Sequence, residues 1–328
     1  MAPIYLSLDI GGTKIAAAAV DAHLQMRGRI TVPTRSATPA ALLASIRQAV
    51  AEVVSQAGAE PGAIQAVGCG VPGQVDAATG LVRHAVNLNL SHYPLGARLR
   101  EELGRPVAVE NDVRLASLGA YHHLRRTRPN DRLHLNSLLY ISIGTGLAAG
   151  LVINGQLYRG RHGLAGEIGH VPVDPDGPRC ACGARGCAEE YISGRGLLRL
   201  AREHLSRFPG HPLLTRGDEL TTRAIFQAAA AGDEAGSAII DAFAARMARL
   251  LYAVAMSYDP DFIVLGGGII NAGPVLFQAL QRHMEEMRTE APVARMLLPP
   301  ERIIALAGEN MGIQGGIMLA VDAGCCRT

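Results

Sequence analysis

The sequence predicts an α/β protein of two domains. At 328 residues it suits two domains of about 150 residues each. Apolar runs of strand length alternate with longer stretches of helical period. A strand–glycine–strand pattern opens the chain and returns after residue 138, once in each expected domain.

Residues 4–10 form an apolar run ending in Asp9-Ile10-Gly11-Gly12-Thr13-Lys14, and residues 15–20 resume it. Strand, glycine turn and strand read as a hairpin. Glycines let backbone N–H groups approach a phosphate. Asp9 can hold a magnesium ion through water, Thr13 can donate its hydroxyl and Lys14 supplies charge; an ordinary turn is the alternative. No G-x₄-G-K-[ST] loop occurs in the chain.

Residues 40–56 carry Leu42, Leu43, Ile46, Val50, Val53 and Val54 at helical spacing, ending before Gly58. Residues 64–70 read as a strand broken by Val71-Pro72-Gly73, which either turns backbone toward a ligand or simply turns. Asn87 lies in a polar loop ahead of a helix over residues 95–103. A short strand over residues 107–109 delivers Glu110-Asn111-Asp112, and a helix begins near Val113. Ligands gather at such strand-to-helix junctions, which makes Asp112 the acid expected to do chemistry. Helix capping, which Asn and Asp both favour, is the competing role.

In the second half, residues 138–143 are apolar, Gly144-Thr145-Gly146 turns, residues 147–153 return, and Asn154-Gly155 closes a further hairpin. Helices are expected over residues 194–204, 222–230 and 234–257. The last has apolar faces broad enough for burial or a subunit contact. Residues 262–265 form an apolar strand, and Gly266-Gly267-Gly268 follows. Three glycines there leave a flat backbone surface for an adenine or ribose, or make a flexible turn. A helix over residues 274–287, a strand over 303–307 and a helix over 312–321 complete the chain.

The densest chemistry lies in residues 163–190. Cys180, Cys182 and Cys187 read C-x-C-x₄-C, with His170 upstream. Three thiolates and an imidazole are the closed Cys₃His shell of structural zinc; a disulfide or unrelated thiols are the alternatives. Glu167 and Glu189 flank these donors, so a bound metal would orient two acids toward a polyhydroxylated ligand. Solvated loop acids are the other reading. Cys69, Cys325 and Cys326 have no evident role.

A net charge of +2 gives no argument for a nucleic-acid partner. No run reaches the ~18 apolar residues of a membrane span, and the first residues lack a signal-peptide pattern. The cytoplasm is the expected location.

In order, DIGGTK, VPG, END, IGTG, GEIGH, C-x-C-G-x₂-G-C-x-E and LGGG closely resemble the ROK family of repressors and sugar kinases, over about residues 4–320. The resemblance implies a two-domain actin-like ATPase fold, hexokinase-type and ribonuclease H-like, with a zinc-binding loop. Residues 1–115 with about 311–328 would form the smaller domain. Residues 116–310, with the zinc loop at 163–190, would form the larger.

It makes Asp9, Gly11, Gly12, Thr13 and Lys14 the first phosphate loop and Gly144, Thr145 and Gly146 the second, with Gly266, Gly267 and Gly268 facing the nucleoside. Asn111 and Asp112 fall on the family's sugar-binding Asn and catalytic base. Glu167, His170 and Glu189 fall on sugar-hydroxyl ligands, with His170 shared with the zinc set His170, Cys180, Cys182 and Cys187. Gly73 and Asn87 fall, more loosely, where further sugar contacts are expected. The second loop departs from the pattern: Leu147-Ala148-Ala149 stands where glycines usually continue, and a methyl at Ala148 or Ala149 would narrow the approach to phosphate, although the Gly144-Thr145-Gly146 core is intact.

The implied activity is ATP-dependent phosphorylation of a hexose 6-hydroxyl, glucose first, with N-acetylglucosamine or N-acetylmannosamine as alternatives. ATP, Mg²⁺ and structural Zn²⁺ are the implied cofactors. A homodimer or homotetramer is implied, without nucleic-acid or membrane partners. The domains are expected to close over the sugar. A non-catalytic sugar sensor is the reading from another class. The family's repressors add an N-terminal helix-turn-helix domain, for which a phosphate loop beginning at residue 9 leaves no room.

Overall fold

A computed structural model describes residues 3–128, 135–215, 220–308 and 310–325. β1 (Ile4–Ile10) and β2 (Lys14–Asp21) pair antiparallel, and β3 (Met26–Pro33) pairs antiparallel with β2. α1 (Pro39–Gln56) starts at Thr38, whose hydroxyl accepts the Ala41 N–H at 3.2 Å. β4 (Ile64–Val71) lies parallel to β1. A three-stranded antiparallel sheet follows, made of β5 (Gln74–Asp76), β6 (Leu81–Ala85) and β7 (Leu90–Tyr93). Then come α2 (Leu95–Leu103), β8 (Val107–Asn111), which is parallel to β4, and α3 (Asp112–Thr127). The main sheet is ordered β3-β2-β1-β4-β8.

The chain continues through β9 (Ser137–Ile143), β10 (Leu147–Ile153), β11 (Gln156–Tyr158), α4 (Gly194–Leu205), α5 (Pro212–Thr215), α6 (Thr222–Ala230) and α7 (Glu234–Tyr258). It ends with β12 (Phe262–Gly266), α8 (Pro274–Glu290), α9 (Pro292–Leu297), β13 (Ile303–Ala305) and α10 (Met311–Cys325). The second sheet, ordered β11-β10-β9-β12-β13, repeats the first. Each has a strand–glycine–strand hairpin and two further strands running parallel to one another.

The β2 side chains show how the first sheet is covered. Ala17 and Ala19 join a core with Leu6 and Leu8 of β1, Ile46 of α1 and Leu99 of α2. Ala16, Ala18 and Val20 alternate to the other face, against Ile313 and Ile317 of α10. In α7, Ile239, Phe243, Met247, Leu251 and Val254 are buried, so burial accounts for its broad apolar faces. Among the described residues, no helix is long and apolar enough to cross a membrane.

The chain divides into two compact units. One comprises Met1–Asn136, Gly150–Ala165 and Asn310–Thr328, the other Ser137–Ala149 and Gly166–Glu309. The sequence puts its first boundary at 115/116, inside α3. That helix runs unbroken because it packs against α10, where Gly315 leaves no room for a methyl beside the Leu115 carbonyl. Residues 87–90, read as a polar loop, are a helical turn over Val86–Leu88, a left-handed Asn89 (φ 52°) and the start of β7.

Candidate active site and metal cluster

The first glycine loop is the turn of the β1–β2 hairpin. The Gly11 N–H donates to the Lys14 carbonyl at 2.9 Å, and Thr34 Oγ1 donates to the Gly11 carbonyl at 2.7 Å. Thr13 and Lys14 are exposed. Asn87 is also exposed, and its backbone carbonyl lies 3.0 Å from where a methyl on Gly12 would stand. Burial raises the Asp9 pKa, against a hydrogen bond from Asn310 and the charge of Lys14.

β8 carries the chain to Asn111 and α3 begins at Asp112, so the cap is Asn111. Its Oδ1 accepts the Val113 and Arg114 N–H groups, each at 3.0 Å. Its Nδ2 donates to the Gly73 carbonyl and to Asp112 Oδ1, each at 3.0 Å. The capping expected as the rival role of Asp112 therefore falls chiefly on its neighbour. Asp112 Oδ1 also accepts the Val113 N–H at 2.9 Å. Asp112 keeps some solvent access yet is ringed by protein. That burial, with the charge of Asp9, pushes its carboxyl up to about 6.

Behind this pair lies a network that sequence reasoning missed. Glu110 is fully buried. Its Oε1 accepts Arg114 Nε at 2.8 Å and the Asn111 N–H at 2.9 Å. Its Oε2 accepts Arg159 Nε at 2.7 Å. Arg114 Nη1 donates to the Gly163 carbonyl at 2.7 Å. One buried carboxylate thus fastens the start of α3 to residues 159–163. A charge in an otherwise apolar strand was the available signal; the partner 49 positions later left none.

In the second unit, the Gly144 N–H donates to the Gly146 carbonyl at 3.0 Å, closing the second turn. Of the three later glycines, Gly266 is crowded by the Tyr140 hydroxyl and Gly267 has φ 93° against Ile143, whereas Gly268 is open. The flat surface expected from all three narrows to Gly268. Its nitrogen lies 3.8 Å from where a methyl on Gly144 would stand. Ala149, part of the departure from the family pattern, is 3% exposed and donates its N–H to the Gly166 carbonyl at 2.7 Å. It backs the 166–170 segment from the interior.

The cysteines converge as their spacing predicts. Ligand atoms of His170, Cys180, Cys182 and Cys187 all lie within 4.8 Å of one another. Cys182 Sγ is 3.6 Å from Cys187 Sγ, and Cys180 Sγ is 3.7 Å from His170 Nδ1. Thiolates at about 2.3 Å from one tetrahedral ion stand about 3.8 Å apart, so the donor set fits such an ion. All three thiols are free, with no disulfide. His170 Nδ1 faces the cluster, while Nε2 lies 4.0 Å from Glu167 Oε2, beyond hydrogen-bond distance. Cys69 is buried in β4, and burial pushes its thiol up to about 12, leaving it inert. Cys326 lies outside the described residues.

Glu189 is 13% exposed; it reaches the Leu147 N–H at 2.9 Å and Arg195 Nη2 at 2.7 Å. Arg195 carried no sequence signal.

Known proteins share this organisation. The ROK family model matches residues 5–323. A glucokinase of Halalkalibacterium halodurans is 31% identical over 317 residues, covering 95% of this chain and 93% of its own. An N-acetylmannosamine kinase of Citrobacter koseri is 34% identical over 273 residues, covering 80% and 83%. The crystal structure of a ROK family glucokinase from Streptomyces griseus, in complex with glucose and AMPPNP, has a TM-score of 0.77 at 31% identity. It covers 97% of this chain and 99% of that one. Since the match runs from residue 5 to residue 323, almost nothing of the chain stands apart from it, and the protein belongs to the ROK family.

Proposed function

We propose that this protein is an ATP-dependent hexose kinase that phosphorylates the sugar 6-hydroxyl, with glucose as its first substrate. The observation that carries this reading is Asp112. Two donors hold its Oδ1, which leaves Oδ2 for an incoming hydroxyl, and its pKa of about 6 suits a base at neutral pH. As the sugar oxygen attacks the γ-phosphorus, Asp112 takes its proton. Phosphoryl transfer otherwise asks for positioning and charge neutralisation. The turns at Gly11–Lys14 and Gly144–Gly146 hold the phosphates, Gly268 faces the nucleoside beside Gly266 and Gly267, and Lys14 adds charge.

Asn111 aligns Asp112 and the Gly73 carbonyl, with Asn87 beside Gly12. Glu167, His170 and Glu189 hold sugar hydroxyls, and this orientation lowers the barrier. Asp9 suits Mg²⁺, because two neighbouring carboxylates with raised pKa values favour a cation. Magnesium, when bound, neutralises charge on the phosphates.

Zn²⁺ suits the Cys₃His set and shapes the wall that carries Glu167 and Glu189. The purified protein is expected to hold about one zinc per chain, read by elemental analysis, and Cys187→Ser to lose it with a fall in Tm. Full zinc content in that variant would remove Cys187 from the ligand set.

The reading extends to an actin-like ATPase fold. The three free thiols of the metal cluster suit a reducing cytoplasm, and a homodimer or homotetramer is the proposed assembly. N-acetylmannosamine is the second candidate substrate, favoured by the 34% identical relative named for it.

A coupled ADP-release assay with glucose, N-acetylmannosamine, N-acetylglucosamine, mannose and fructose tests the proposal. One preferred sugar with Asp112-dependent turnover is expected. Sugar-dependent thermal shifts without turnover would make the protein a sensor instead.

A further inference from the structure

We infer that Glu189 couples sugar binding to nucleotide binding, and that Arg195 is the positioning residue that keeps it placed to do so. This rests on the proposed function, in which Glu189 holds a sugar hydroxyl and residues 144–146 hold phosphate. Within the second unit these two parts are one assembly. Glu189 Oε2 accepts the Leu147 N–H at 2.9 Å, the first N–H beyond the turn. A methyl on Gly146 would lie 2.5 Å from that same oxygen. The carboxylate therefore fills the space a side chain at 146 would need, and glycine stands there for Glu189 as much as for phosphate.

Oε1 accepts Arg195 Nη2 at 2.7 Å. Arg195 sits at the start of α4, next to Gly194, whose N–H donates to the Gly144 carbonyl at 2.7 Å. The same short segment thus grips both the carboxylate and the first glycine of the turn. On another side, a Glu189 oxygen and Cys180 Sγ lie within 4.8 Å, so the metal loop backs the carboxylate.

A carboxylate has about four lone-pair positions, and these two bonds leave capacity for sugar hydroxyls. A hydroxyl bound to Glu189 restricts its rotamers and so firms the Leu147 bond at the base of the turn. A phosphate that orders the turn fixes Glu189 in return. Thermodynamic linkage makes the two effects equal. The Arg195–Glu189 pair is half in solvent and adds little stability itself; its role is to hold the rotamer.

Calorimetric titration of glucose, with and without saturating ADP, tests this in the wild type and in Gly146→Ala, Arg195→Ala and Arg195→Lys. ADP is expected to tighten glucose binding to the wild type about fivefold or more. Gly146→Ala, although in the nucleotide turn, should weaken glucose binding about tenfold with no nucleotide present, by displacing Glu189. Arg195→Ala should lose most of the ADP-linked gain and raise both KM values with kcat nearly unchanged; Arg195→Lys should recover part of it. Unaltered glucose affinity in Gly146→Ala with an undiminished ADP effect in Arg195→Ala would overturn the inference. If Gly146→Ala does not fold, the Arg195 pair decides alone. A wild type that binds no hexose would overturn the proposed function itself, and the inference with it.

Discussion

Replacing Asp112 by Asn is expected to cut kcat by about 10²- to 10⁴-fold while leaving sugar affinity nearly unchanged. The amide keeps an oxygen to accept the Val113 N–H, now at 2.9 Å, so the start of α3 survives; what goes is the basic second oxygen. In the wild type, kcat/KM should fall as pH drops through about 6, where the carboxyl protonates, and the variant's residual rate should lack that limb. Stability moves the opposite way. The folded-state pKa lies above the ordinary 3.8, so the unfolded chain gives up this proton more readily. The ionised group therefore costs stability as pH rises from about 4 to about 6, and the full cost remains at neutral pH. Asp112→Asn should then melt higher than the wild type at pH 7. A pH–rate profile with parallel melting curves reads both effects, and full turnover in the variant would end the assignment of the base.

Glu110→Ala is expected to destabilise the protein by about 3–5 kcal/mol, a large part of the roughly 5–15 kcal/mol that holds a folded domain. The carboxylate is fully buried, and Arg114, its buried partner, is 3% exposed. Without Glu110, that guanidinium keeps only the Gly163 carbonyl, and its Nη2 already has no hydrogen-bond partner among the described residues. The Asn111 N–H loses its acceptor as well. Arg159 is 41% exposed and can rehydrate, so the cost falls on Arg114. Glu110→Gln keeps the shape and should be milder. Urea midpoints with unchanged m-values would give the difference; an alanine variant within about 1 kcal/mol of the wild type would show the pair to be weakly coupled to folding.

The elements legible in the sequence are those with many buried positions. β4, β9 and β12 are almost wholly buried, and each shows as an apolar run. β3 buries only Gly28 and Val32, too few for a period to emerge among its arginines, so no strand is legible there. The short strands β5 to β7 are illegible for the same reason. The site divides along similar lines. Cys180, Cys182 and Cys187 are close in sequence, so their spacing carries their chemistry. Glu110 with Arg159, and Glu189 with the Leu147 N–H, are joined only by folding. Nor does sequence separate a glycine demanded by packing, such as Gly267, from one left open, such as Gly268.

α10 sets the order in which the first sheet can be covered during synthesis. α10 covers Ala16, Ala18 and Val20 on the first sheet and lies along α3. At ribosomal rates of about 5–20 residues per second, roughly ten to forty seconds separate the emergence of α3 from that of α10. Throughout that interval Ala16, Ala18 and Val20 lack their partners Ile313 and Ile317, which leaves an apolar patch suited to chaperone capture. A nascent chain stalled before residue 311 should therefore remain protease-sensitive in its first unit, even with every strand of that sheet already made.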